Sequence, residues 1–190
     1  MSDCRRHEVI EPATPGGSRL TAKELDWCLR FQQTLDQPLL VRLFALVSRL
    51  GDGVFWYALM AALLLSEGWA AVPAVGQMAL VGALGLGVYK WLKARTTRPR
   101  PCARHERIQR RAAPLDEYSF PSGHTLHAVA FTLVAVHHYP SLAWLLLPFT
   151  ALVALSRVIL GLHYPSDVVA GALIGAALAL LSSSRLFTQI

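Results

Sequence analysis

Five runs of apolar residues, each too continuous for a helix half-exposed to water, leave this chain few folds to adopt. They lie near Val54–Ser66, Val72–Trp91, Thr125–Tyr139, Leu142–Leu160 and Pro165–Leu181. A helix that is apolar all round must be surrounded by protein or lipid. Crossing a membrane takes about 20 residues (range ~17–25), so the first and third runs need their flanks. Hydrophobic residues make up 54% of the 190 and charged residues 16%, too apolar a balance for a soluble domain. The expected fold is all-α: a polytopic membrane helix bundle of about five transmembrane helices, with room for one domain.

The segment before Gly53 reads differently. Residues 1–19 are expected to be a disordered polar arm, 20–50 amphipathic interfacial helices, and 51–190 the transmembrane domain. Thr21 and Glu24 have capping-box spacing. Leu25, Trp27, Cys28, Phe31 and Leu35 form an apolar side, and Pro38 ends that helix. Leu39–Leu50 carries Arg42 and Arg49 on one face. Both stretches suit the headgroup plane, with arginines snorkelling to phosphates. The first 20 residues have no apolar signal core, so insertion is expected to use the internal spans. Gly171 and Gly175 form a GxxxG pattern that favours close helix packing, as do Gly82 and Gly85. Cys4, Cys28 and Cys102 fit neither a disulfide framework nor a zinc site and receive no role.

Chemistry concentrates in three short segments: Lys93 with Arg100-Pro101; Pro121-Ser122-Gly123-His124; and Ser156-Arg157 with His163 and Asp167. A phosphoryl group in transfer spreads negative charge over its oxygens, and catalysis consists mainly of positioning and electrostatic stabilisation. Lys93, Arg100 and Arg157 supply positive charge, the arginines as planar forks. Ser122 can cap a helix whose first N–H groups, at Gly123 and His124, face an anion. Asp167, in the first turn of the last span, can accept a hydrogen bond from one nitrogen of His163 and leave the other as a nucleophile. His124 can protonate a departing oxygen as general acid.

Any one segment alone is a weak signal. Together, from about Lys90 to Gly175, they resemble the type 2 phosphatidic acid phosphatase superfamily, the lipid phosphate phosphatases, in its bacterial membrane-bound branch. The resemblance implies an enzyme that removes the terminal phosphate from a membrane lipid phosphate or diphosphate. It implies a phosphohistidine on His163, later hydrolysed by water, with no metal and no cofactor. The chain also lacks an acidic cluster suited to magnesium. Undecaprenyl diphosphate, phosphatidate, phosphatidylglycerophosphate and phosphorylated lipid A all fit the family, and the shared motifs do not choose among them. Vanadate-dependent haloperoxidases share the phosphate pocket but are soluble. A non-catalytic lipid-binding scaffold of the same fold would be marked by loss of His124 or His163, and both are present.

Other charged residues have plainer readings. Arg95 and Arg104 through Arg111 suit a topogenic basic loop. Arg98-Pro99 repeats the Arg-Pro pair, but counting back from it puts Trp91 where the lysine belongs. His127 suits packing or a hydrogen bond, His137, His138 and Tyr139 a membrane interface, and Asp52 a cap on the first span. His7 and His105 have no case. The net charge of +6 fits membrane topology and an anionic substrate; no nucleic-acid motif accompanies it. The expected partners are the lipid substrate and the bilayer, with no nucleic acid and no obligatory protein. Five spans put the amino terminus and the active-site loop on one side, with every Lys and Arg except Arg185. The positive-inside rule then favours the cytoplasmic side of a bacterial inner membrane, whereas the family resemblance implies six spans and a site facing the periplasm.

Overall fold

The structure, a computed structural model, describes residues 19–112 and 116–185. The polar arm expected before residue 19 lies outside them. Among the described residues the regular structure is helical: α1 (Arg19–Thr34), α2 (Pro38–Gly51), α3 (Val54–Glu67), α4 (Val72–Thr96), α5 (Pro101–Arg104), α6 (Gly123–His138), α7 (Ala143–Ile159) and α8 (Pro165–Arg185). Each apolar run is a helix, and the start of the chain's long polar loop is set locally. Thr97 adopts the left-handed conformation and its N–H reaches Lys93 O at 3.1 Å. Arg98 then precedes a proline, which disfavours further helix.

Three stretches are long and apolar enough to cross a membrane: Val54–Arg104, which contains both α3 and α4, Pro140–Ile159 and Pro165–Ser183. The 16-residue α6 spans about 24 Å at ~1.5 Å per residue and is the central helix. It packs against α8, α4, α7 and α2, burying Leu126, Ala128, Ala130, Thr132, Val134 and Ala135. Around it Trp56 contacts the rings of Phe131 and Phe149, and Met78, Val81, Leu146 and Val153 complete the core. The outer surface is also apolar. Leu65, Leu84, Leu147, Leu173 and Leu180 face outward, and Trp69 and Trp144 at the ends of helices are 90% exposed. An apolar exterior with tryptophans at its rim belongs to a membrane protein.

The α6–α8 contact is backbone to backbone. A Cβ on Gly175 would lie 2.3 Å from Leu126 O, and one on Gly171 2.5 Å from Ser122 O. The GxxxG pattern therefore serves packing within the chain. It also places the two helix beginnings side by side, where Ser122 N–H donates to Asp167 O at 3.0 Å.

The amphipathic helices depart from expectation. α1 begins at Arg19, so Thr21 lies inside the helix and not at its cap. Its buried residues are Glu24, Cys28 and Gln32, spaced one turn apart, while Trp27 and Phe31 face outward. Polar Glu24 and Gln32 turn inward because the loop they cover is polar: Gln32 bonds Gln109 N and O, and Glu24 accepts from Ser166 N–H. α1 and α2 also pack on α7, α2 through Phe44 and Val47.

Gly175→Ala should force α6 and α8 apart and lower the thermal midpoint in detergent, at a cost of about 1–3 kcal/mol. Gly76→Ala, with open space around its Cβ, is the matched control and should leave the midpoint unchanged. Equal midpoints for both variants would contradict the close packing.

Candidate active site

All three segments converge at the end of the bundle where α4 and α7 finish and α6 and α8 begin. His163 sits in the turn between α7 and α8, buried. Its Nδ1 is 2.6 Å from Ser119 O. A carbonyl only accepts, so Nδ1 carries the proton and Nε2 keeps the lone pair. Arg100 Nη1 approaches that Nε2 at 3.3 Å. Burial, followed by the charges of Arg157, Arg100 and Lys93, holds His163 well below the usual histidine range, against a smaller opposing effect of the Ser119 bond. The ring is thus neutral, with a free lone pair, and surrounded by cations.

Asp167 departs from its expected role. Its Oδ2 is 3.7 Å from His163 Nδ1, too far for a hydrogen bond, and the Ser119 carbonyl takes that place. The carboxylate instead accepts from Tyr164 N–H at 2.9 Å and from Arg98 Nη1 at 2.5 Å. Asp167 therefore fixes the turn that carries His163. Arg98 also pairs with Glu24 at 2.7 Å and stacks over the Tyr164 ring at 4.0 Å. It is a partly buried strut rather than a loop charge.

The three expected phosphate cations are all buried. Arg100 donates to Leu162 O at 2.6 Å and to Asp116 through both its carboxylate and its carbonyl. Lys93 Nζ reaches Asp116 Oδ1 at 2.5 Å and Tyr118 O at 2.8 Å. One carboxylate, Asp116, thus bridges two cations. Arg157 Nη1 donates to Ser48 Oγ, while its buried Nε has no partner among the described residues. A guanidinium N–H left unmatched in a polar site suits an anionic ligand.

Ser122 occupies the N-cap position of α6, but its hydroxyl bonds Thr125 Oγ1 at 2.9 Å instead of capping an N–H. Gly123 faces Tyr89, whose ring a Cβ would meet at an ordinary 3.6 Å. His124 comes next, within electrostatic reach of Arg157, His163 and Arg100. Its Nε2 abuts Asp52 Oδ1. Asp52 follows α2 and is turned to this histidine, while Gly53 holds the N-cap position of α3; the expected cap is therefore not formed. His127 behaves as expected, bonding Gly123 O at 2.8 Å and Gly82 O at 3.1 Å.

Sequence reasoning passed over Ser119, Asp116 and Ser48, read Asp52 and Glu24 only as capping residues, and gave Arg98 no structural role. The Glu24–Cys28–Gln32 spacing was a readable signal for α1. Asp116 and Ser119, in an irregular loop, carried none. Cys28 lies under the His163 turn, its Sγ 3.9 Å from His163 O. Burial, reinforced by Glu24 and Asp167, pushes its thiol up to about 12, so it remains a protonated packing residue.

A family model described as the PAP2 superfamily matches residues 70–190. The chain belongs to that superfamily. Its fold is shared with two solved structures. Aquifex aeolicus LpxE superposes with a TM-score of 0.69 and 26% identity, covering 85% of this chain and 94% of that one. The PAP2-type phosphatidylglycerolphosphate phosphatase of Bacillus subtilis superposes with 0.66 and 24% identity, covering 88% and 86%. Among curated relatives, the undecaprenyl-diphosphatase of Sulfolobus acidocaldarius is 40% identical over 67 residues, 35% of this chain and 32% of its own. The decaprenylphosphoryl-5-phosphoribose phosphatase of Mycolicibacterium smegmatis is 34% identical over 120 residues, 56% and 63% respectively. The chain thus spans from about a third to under two thirds of the length of these relatives.

The geometry makes a direct statement about protonation. Because the pKa of His163 is depressed, its neutral Nδ1–H form should persist at pH 6, where an ordinary histidine (~6.5) is mostly charged. Nitrogen NMR of histidine-labelled protein, with the signal assigned by loss in His163→Gln, checks this. A doubly protonated ring at pH 6 would contradict it.

Proposed function

We propose that this protein is an integral-membrane lipid phosphatase that removes the terminal phosphate from a lipid phosphate or diphosphate through a phosphohistidine on His163. The observation that carries this reading is the state of His163: proton on Nδ1, lone pair on Nε2, three cations around it. Lys93, Arg100 and Arg157 would hold the non-bridging oxygens, with the first N–H groups of α6 at Gly123 and His124. An arriving phosphate competes with the Asp116 carboxylate for Lys93 and Arg100. As Nε2 of His163 bonds to phosphorus, the bond to the bridging oxygen breaks and His124 gives that oxygen a proton. Water then attacks the phosphohistidine and releases phosphate. Positive charge throughout comes from side chains, and no step is assigned to a metal or cofactor.

Position supports the substrate class. The site lies at one end of an apolar-surfaced bundle, where a headgroup meets its acyl or prenyl chain. The names of the two curated relatives point the same way: undecaprenyl-diphosphatase and decaprenylphosphoryl-5-phosphoribose phosphatase. Purified protein, offered undecaprenyl diphosphate, phosphatidate, phosphatidylglycerophosphate and lipid A in detergent micelles, should release phosphate from at least one, and His163→Ala should abolish it. Near-normal release by that variant would sink the covalent mechanism.

We place the protein in the bacterial inner membrane with α3, α4, α6, α7 and α8 crossing it. α1 stays beside the site: Arg111 pairs with Asp36 at 2.5 Å and Gln32 bonds Gln109. Lys93, Arg100 and Arg157 are positioned by the site's chemistry and do not vote on topology. The seven basic residues before Gly53 do, and favour the cytoplasm. In a cysteine-free background, single cysteines at Ala22 or Lys23 and at Ala112 should respond alike to an impermeant thiol reagent on intact cells. Labelling of one region alone would break the shared-side arrangement. Protection of both supports a cytoplasmic site, and labelling of both moves it to the opposite face.

A further inference from the structure

α2 ends at the chemistry. Ser48 and Asp52 are four residues apart and share a helical face, and each touches a site residue. Ser48 Oγ accepts from Arg157 Nη1, and Asp52 Oδ1 meets Nε2 of His124. Neither belongs to the three signatures, and both precede residues 70–190, where the family model matches.

The backbone explains why Asp52 points inward. A Cβ on Gly51 would sit 3.0 Å from Val153 Cγ2, so the end of α2 is pressed against α7. Gly53, at φ 124°, adopts a conformation open to glycine, and the chain turns at once into α3. Asp52 is held in this turn beside His124, with 31% of its side chain exposed. The groups facing His124 from neighbouring elements are otherwise basic: Arg157 from α7, Arg100 before α5, His163 from the α7–α8 turn, and His127 on its own helix. A histidine among these needs a counter-charge to carry a proton, and Asp52 is the carboxylate in contact with it.

We propose that Asp52 is a positioning residue for leaving-group departure, fixing the His124 ring and stabilising its imidazolium form. This rests on the phosphatase reading above. In the step, the lone pair on His163 Nε2 forms the bond to phosphorus and the bond from phosphorus to the bridging oxygen breaks. That oxygen keeps the electron pair and takes a proton from the His124 ring, whose Nε2 lies against Asp52. His124 ends neutral. Ser48, through Arg157, bears instead on the phosphate and therefore on every substrate alike.

The test compares kcat/KM, which reports the steps through phosphoryl transfer, on two probes. One is p-nitrophenyl phosphate, whose leaving group needs no proton; the other is the best lipid substrate of the panel. General acid catalysis is worth about 10²–10⁴-fold. Asp52→Asn, nearly isosteric, should lose about 100-fold on the lipid and at least ten times less on the aryl phosphate. Asp52→Glu should recover part of the lipid activity. Ser48→Ala should lose similar factors on both. Equal losses for Asp52→Asn on both probes, with an unchanged melting temperature, would overturn the positioning role, as would no loss on either. A lower melting temperature with equal losses would make Asp52 a structural residue, which also overturns it. Wild-type protein that turns over neither probe, or the aryl phosphate alone, would bring down the lipid-phosphatase reading itself and this inference with it.

Discussion

A cation taken out of water at the end of an apolar bundle must find its partners inside the fold, and the arrangement of this molecule follows from meeting that demand several times over. Desolvating one such ion costs several kcal/mol unless hydrogen bonds and opposite charge offset it. Arg98 is held between Glu24 of α1 and Asp167 of α8. Arg100 rests on Leu162 O and on Asp116, which also receives Lys93. Arg157 is tied to Ser48 of α2. The partners come from α1, α2, the loop before α6, and α8, so satisfying the charges also assembles the elements.

The same arrangement sets the chemistry. Burial, joined by cations on several sides, drives His163 to its neutral form, and the Ser119 carbonyl selects which nitrogen stays free. On the proposed reading, one set of interactions thus prepares both nucleophile and phosphate ligands. Preorganisation of this kind is the largest contribution that protein groups make to phosphoryl transfer. Apolar packing supplies the rigidity: glycine contacts between α6 and α8 hold Ser122 against Asp167 O, which keeps His124 and His163 on neighbouring helix beginnings.

Local signals in the sequence reached as far as local causes do. Apolar runs placed the helix starts within two residues and missed the ends of α4 and α8 by five and four, since burial in lipid demands continuous apolar surface while a helix can run on past it. Lys93, Arg100, Arg157, His124 and His163 were legible because their spacing repeats a chemical pattern. The bond from Asp167 to His163 was a plausible local inference that a tertiary contact overrode. Ser119, distant in sequence, supplies the acceptor, and Arg98 draws Asp167 away. Likewise α1 and α2 read as helices lying on a membrane, because their outward Trp27, Phe31, Leu43 and Leu46 dominate the pattern. Their inward Glu24, Gln32 and Ser48 acquire meaning only once Arg98, Gln109 and Arg157 are placed beside them. No periodicity could mark Asp116, whose partners are fixed by loop closure.

The central claim is that His163 Nε2 takes the phosphoryl group. The most direct measurement is an acid-free quench of the protein during turnover of a substrate labelled with radioactive phosphorus at its terminal phosphate, followed by peptide mapping. The account predicts a label that is stable in alkali, lost in acid and carried by the peptide containing His163. Turnover that never labels the protein, or a label on His124 or Ser122, would contradict it.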